Sequence, residues 1–176
     1  VMGCGAALEH GQLAALPSVT DVVAGGDALG VATSLGLTPA AGAFAQVQNG
    51  TRALLRIQEG CDEHCTFCAT TLARGNNRSR SVADLVDEAR ALANHHSEIV
   101  LTGVHIGTYG RDAGLAPSLG RLLEALIATV PSVRFRLSSV EAPEVDDALA
   151  RLLIEAPRHL AAHLHAPLQS GSNRIL

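Results

Sequence analysis

Three of the four cysteines of this chain fall inside one short stretch, Cys61-Asp62-Glu63-His64-Cys65-Thr66-Phe67-Cys68, spaced C-x3-C-x2-C. That crowding constrains the fold more than any other feature. Three thiols this close belong to one loop, which needs ordered structure on both sides. The run before it, Ala53 to Gln58, reads as a strand, and a basic, glycine-containing segment follows. As thiolates the three can hold a metal centre and leave one coordination position without a cysteine. A structural site is normally closed by a fourth protein ligand, whereas a catalytic site keeps a position open. Zinc would need a second C-x-x-C or a cysteine–histidine pair at finger spacing, and neither follows. His64 lies inside the loop, and His105, His163 and His165 lie far along the chain. Four cysteines are too few for a disulfide-stapled scaffold. The spacing alone leaves iron–sulfur and zinc both open.

The 176 residues suit one domain plus a fragment of another, and an apolar content of 47% supplies a core. Aromatic residues make up 2%, which argues against a broad base-stacking surface. The formal net charge of −4 excludes chain-wide electrostatic binding of nucleic acid, so any RNA contact must be local or supplied by other parts. No run is long enough to span a bilayer, and no charged segment precedes an apolar one. A cytoplasmic protein with no membrane contact is the expectation, and reduced thiols there favour metal binding over disulfides. The sequence stops at Ser172-Asn173-Arg174-Ile175-Leu176, which reads as the start of an unfinished helix, so we expect an internal piece of a longer protein.

Taken in order, Val1 to Gly5 reads as a strand end turning into a helix lined by Leu8, Leu13 and Leu16 and stopped at Pro17. Val19 to Val23 reads as a short strand, and Ala28 to Leu35 as a helix capped by Asp27. Residues 1–35 form the first segment. Residues 36–50, rich in Ala, Gly and Gln, read as a linker. From 51 to 176 the rhythm is regular. Strands are expected at Ala53 to Gln58, Ile99 to Thr102, Val133 to Ser138 and Leu160 to Leu164. Helices are expected after Ser81, over Leu119 to Val130 and from Pro143. This alternation predicts an α/β fold with a parallel sheet built of right-handed crossovers.

Ligands in such folds gather beyond the C-terminal strand ends. Each conspicuous polar or glycine cluster follows one of the expected strands. They are the cysteine loop, then Gly103, Val104 and His105, then Ser138, Ser139 and Glu141, and finally Gln169 and Ser170. Arg74, Arg78 and Arg80 make the one local basic cluster, which by itself reads as a solvated face. A lone Cys4 reads by itself as a small buried hydrophobe. The histidines at 105, 163 and 165 are assigned no role.

C-x3-C-x2-C with Phe67 before the last cysteine resembles the signature of the radical S-adenosylmethionine (SAM) superfamily. The blocks Gln58 to Cys68, Ala73 to Asn76, Arg78 to Arg80, Leu101 to Val104, Ser138 to Glu141 and His163 to Ser172 resemble the methylthiotransferase branch. They occur in order along nearly the whole chain. The resemblance implies a partial (β/α)6 barrel after the tail of a small α/β N-terminal domain. It implies a [4Fe–4S] cluster on Cys61, Cys65 and Cys68, with SAM on the fourth iron. Phe67, Gly103, Val104, Ser139, Glu141, Gln169 and Ser170 would then line the SAM site. Cys4 would be one ligand of a second [4Fe–4S] cluster, whose other two cysteines would lie upstream. Arg74, Arg78 and Arg80 would meet RNA phosphates. The implied partners are a tRNA anticodon loop and an electron donor such as flavodoxin or ferredoxin.

The implied reaction is methylthiolation at C2 of a modified adenosine at position 37. Gly60-Cys61-Asp62 and Arg74-Gly75-Asn76 look most like the subgroup acting on N6-threonylcarbamoyladenosine. The isopentenyladenosine and ribosomal-protein aspartate subgroups are the alternatives, with a different radical SAM enzyme and a zinc-stabilised non-catalytic module beyond them. One departure stands out. Relatives often carry an aromatic and a proline after the third cysteine, where this chain has Thr70-Thr71-Leu72.

Overall fold

The computed structural model describes residues 1–25, 28–38, 48–113 and 118–175. Contacts divide the chain into two compact units, Val1–Ala45 with Gly60–Asn76, and Gln46–Glu59 with Asn77–Leu176.

In the first unit a two-residue strand β1 (Met2–Gly3) pairs in parallel with β2 (Val23–Ala24). The strand expected at Val19 to Val23 is therefore shorter and later, because β1 offers only two residues to pair with. The helix expected after Gly3 is broken at Glu9 into α1 (Cys4–Leu8) and α2 (His10–Ala14). Such short helices cover little surface, so Leu8 and Leu16 stay exposed. Helix α3 (Ala28–Ser34) matches its expected span to within a residue. Most of the expected linker, and Asp27, lie outside the described residues. Helix α4 (Thr70–Arg74) follows the cysteine stretch and packs against α1.

The second unit is a sheet with helices packed on it. Its strands are β3 (Arg52–Glu59), β4 (Arg78–Ser79), β5 (Glu98–Gly103) and β6 (Arg134–Leu137), in the order β4-β3-β5-β6. The pairs β3–β5 and β5–β6 are parallel, and β4 pairs antiparallel with the end of β3. Helices α5 (Val82–Ala93) and α6 (Leu119–Thr129) form the crossovers, and α7 (Asp147–Glu155) follows β6. Each starts on a side-chain cap. The backbone N–H groups of Asp84, Arg121 and Leu149 donate to Ser81, Ser118 and Asp146 at 3.1, 3.3 and 2.7 Å. Pro143 sits in a 3-10 turn (Ala142–Glu144) instead of opening α7. Proline suits a first turn, but Asp146 supplies the oxygen that starts the helix.

Alternation builds the core. Ala53, Leu55 and Ile57 of β3, Ile99 and Leu101 of β5 and Phe135 of β6 are buried together with Leu85, Leu92, Leu122, Leu123 and Leu126 of the crossover helices. Each such side chain contributes about 1.5–3 kcal/mol of burial. The segment expected as a fourth strand meets β6 at one isolated parallel bridge, Phe135 to Leu160, and a second bridge, Ser139 to His165, lies just past both. His163 N–H turns back to the Ala161 carbonyl at 2.7 Å, which interrupts a continuous ladder. The second unit is a partial (β/α) barrel, as expected.

Candidate functional site

The cysteine loop starts where β3 ends, and its neck is held by backbone. Gly60 adopts φ 72°, and a Cβ there would overlap the Asn76 carbonyl. Only glycine combines this left-handed geometry with so close an approach. Cys61 N–H donates to the Gly75 carbonyl at 3.0 Å, closing the neck from the other side. Inside, the Thr71 hydroxyl meets the carbonyls of Cys61 at 3.0 Å and Glu63 at 2.9 Å. Cys68 N–H donates to the Cys65 carbonyl at 3.1 Å, drawing the last two cysteines into one turn. Thr70 and Thr71 thus hold the loop together. Thr71 had no role in the sequence reading.

None of the four cysteines is in a disulfide. Cys4, Cys65 and Cys68 are exposed, and Cys61 is half-buried. Burial pushes the Cys61 thiol up, and the charges of Glu63, Cys65 and Cys68 add to the rise against one backbone N–H bond from Glu63. A hydrogen bond with Thr70 at 3.0 Å brings the Cys68 thiol down. Phe67 is 85% exposed. Among the described residues no three His, Cys, Asp or Glu side chains stand in a metal-holding arrangement. Three thiols have no mutual attraction to draw them to a point; metal binding itself organises such ligands. The donor types nevertheless fit an iron–sulfur cluster, since one loop carries three cysteines and none of them is in a disulfide. Cys4 opens α1, and α1 packs against the helix that follows Cys68.

In the second unit the strand ends are tied by a buried polar network. The register of β3 on β5 shifts between Arg56 and Gln58, so Ile57 and Gln58 are both buried. Such a bulge re-aims a side chain. Gln58 Oε1 accepts from the backbone N–H groups of Val104 at 3.0 Å and His105 at 2.8 Å. Its amide donates to Asn77, whose own amide reaches the Thr108 carbonyl at 3.2 Å and Asp112 at 3.1 Å. Asp112 also accepts from the hydroxyl and backbone N–H of Ser79 at 2.6 and 2.9 Å. Burial raises the Asp112 carboxyl, and the Ser79 bonds outweigh it, leaving it below the usual carboxylate range. Tyr109 donates to the Arg80 carbonyl at 2.7 Å, and burial pushes its phenol up to about 12. Gly103 is needed because a Cβ there would come within 2.7 Å of the Gln58 carbonyl.

Beyond β6, Ser139 Oγ lies 2.7 Å from His165 Nδ1, so His165, given no role from sequence, positions Ser139. His105 lies 3.0 Å from Glu144, which also meets Arg111 at 3.3 Å. Glu141 is half-buried and precedes the 3-10 turn. Gln169 has φ 60°, the one non-glycine residue in that region among the described residues. Ser170 Oγ accepts from Ser172 N–H at 3.1 Å. The basic cluster divides. Arg74 belongs to the first unit, and Arg78 and Arg80 to the second. The Arg80 guanidinium bridges Glu88 at 2.7 Å and the Arg56 carbonyl at 2.9 Å, a structural role that the sequence did not show.

The fold is a parallel α/β half-barrel whose first parallel strand runs into a loop carrying three cysteines. The sequence matches the model of the Radical SAM superfamily over residues 55–176, and the chain belongs to that superfamily. It is similar to threonylcarbamoyladenosine tRNA methylthiotransferase MtaB of Bacillus subtilis, with 43% identity over 72% of this chain and 28% of the relative. It is also similar to the proteins of that name from Thermotoga maritima, 38% identical over 73% of this chain and 30% of the relative, and Aquifex aeolicus, 41% over 72% and 30%. The chain thus spans less than a third of these relatives' length. No helix among the described residues is long and apolar enough to cross a membrane.

Proposed function

We propose that this chain is the catalytic core of a tRNA methylthiotransferase that acts on N6-threonylcarbamoyladenosine at position 37. The observation that carries the reading is the C-x3-C-x2-C loop on the first parallel strand, within a stretch 43% identical to a methylthiotransferase of that specificity. Cys61, Cys65 and Cys68 would hold the [4Fe–4S] cluster, and Cys4 one corner of a second. The SAM-bound cluster supplies radical chemistry that no side chain provides.

The chain's own residues bind and orient. The neck at Gly60 and the Thr71 bonds fix where the thiols start. Gln58 holds the Val104 and His105 backbone, and His165 holds Ser139, so these groups would meet SAM pre-organised, with Gly103 and Glu141 beside them. The Gln169 backbone stores strain of roughly 1–3 kcal/mol, a cost that clusters at ligand-holding segments, and Ser170 follows it. Phe67 would shield the cluster. Arg74 and Arg78 would hold phosphates of an anticodon loop by charge-assisted hydrogen bonds, with Arg80 supporting them through β4. A flavodoxin- or ferredoxin-type donor would supply electrons, in the cytoplasm. Nucleoside mass spectrometry of tRNA from cells lacking the full-length gene tests this. Loss of the 2-methylthio form, with its precursor accumulating, is expected; an unchanged nucleoside profile rejects the reading.

A further inference from the structure

At the strand ends opposite those just described, the second unit begins with a row of charge. Arg52, Glu98 and Arg134 are register partners on adjacent parallel strands β3, β5 and β6. Arg136, two residues further along β6, shares a face with Arg134. Glu98 is the buried centre. Its Oε1 receives Arg52 Nε at 2.6 Å and Arg136 Nε at 2.7 Å, and its Oε2 receives two nitrogens of Arg134 at 2.8 and 2.6 Å. Burial raises the Glu98 carboxyl, and the bonds and charges of Arg136 and Arg134 outweigh it, so the group stays ionised below the usual range.

One carboxylate cannot satisfy this many guanidiniums. Arg52 and Arg136 spend only Nε on it, and each guanidinium carries five donors. Beside the row lies a cavity of about 390 Å³, lined by Arg52, Glu98, Arg134, Arg158, Ser97 and Ser132 among others. Arg158 is exposed and has no ion-pair or hydrogen-bond partner among the described residues. Three arginines against one glutamate leave the lining at +2, in a chain whose net charge is −4. The excess is therefore local and not a reflection of general basicity. A phosphate dianion would cancel it, with fork-shaped guanidinium ends and two serine hydroxyls as donors.

We infer that this cavity binds a phosphate group, at a site separate from the radical centre. Glu98 acts as the strut that holds Arg52 and Arg134 at its rim, and Arg158 acts as the uncommitted contact. The site stands independently of the methylthiotransferase reading, since it uses none of its residues.

The test is calorimetric titration of the full-length protein at fixed ionic strength with two probes, inorganic phosphate and a uridine trinucleotide. Wild type, Arg158→Ala and Arg52→Ala are compared. Saturable binding of either probe, weakened about tenfold or more in Arg158→Ala, is expected. Tighter binding of inorganic phosphate assigns a free phosphate, and tighter binding of the trinucleotide assigns an RNA backbone. Arg158 has no partner to lose, so its variant keeps the test valid even where Arg52→Ala unfolds. No saturable binding of either probe, or unchanged affinity in Arg158→Ala, overturns the assignment.

Discussion

The cysteine loop and the strand-end network of the second unit solve opposite problems. The loop keeps its reactive groups near solvent. Cys65, Cys68 and Phe67 are exposed, and the loop is fixed at its neck by backbone and by one threonine hydroxyl. The network does the reverse. Gln58, Asn77 and Thr108 are buried, and their polar atoms bond one another and the backbone of the following loops. A group that must receive a cofactor cannot be saturated in advance, whereas a group that orients others should be. On the proposed function, saturation would separate scaffold from reagent better than residue type does.

Five changes probe that contrast, in order of falling effect. Cys65→Ala should reduce SAM cleavage by the anaerobically reconstituted full-length protein to background while leaving its thermal midpoint nearly unchanged. Retained cleavage would remove Cys65 from the cluster. Gly60→Ala should cost more than the roughly 1–3 kcal/mol of a left-handed alanine, because of the overlap with Asn76. Denaturant unfolding and iron content should fall together; a normal iron content would show that the neck does not position the thiols. Gln58→Leu should destabilise by about 2–4 kcal/mol, since it strands the Val104 and His105 N–H groups and Asn77. A loss below about 0.5 kcal/mol by chemical denaturation would mean that the network is dispensable.

The fourth change concerns Glu98. Its folded pKa lies below the ordinary 4.5, so the stabilisation is present above that pH and is lost as the pH falls through the lower folded value. In Glu98→Gln this acid-side slope should disappear from the stability–pH curve below about pH 4.5. An identical slope would place the titration elsewhere. Smallest is Arg74→Ala with Arg78→Ala, which should lower the salt slope of tRNA binding by about one per arginine. A parallel salt dependence would free both from phosphate contact.

Much of this was legible in the sequence, for reasons that also explain what was not. The crossover helices announce themselves by apolar spacing, and the first of them also by Ser81, because caps and periodicity are local. The strands β3, β5 and β6 were visible to within a residue or two. Gln58 was hidden because a bulge breaks the alternation on which strand reading relies, and its partner Asn77 sits in what reads as a basic loop. The two-residue β4 is too short to show a period, so the contacts of Arg80 with Glu88 and the Arg56 carbonyl could not be read from the sequence. His165 was passed over because its role depends on Ser139, far away in sequence. The three cysteines were the plainest signal of all, since C-x3-C-x2-C spacing is local and points to metal binding, although spacing alone leaves iron–sulfur and zinc both open.

The most direct measurement is electron paramagnetic resonance of the reduced, anaerobically purified full-length protein, with and without SAM. A [4Fe–4S] signal that changes when SAM is added is expected, with loss of the SAM-responsive part in Cys65→Ala. A colourless zinc-loaded protein, or a cluster signal indifferent to SAM, would contradict the cluster assignment.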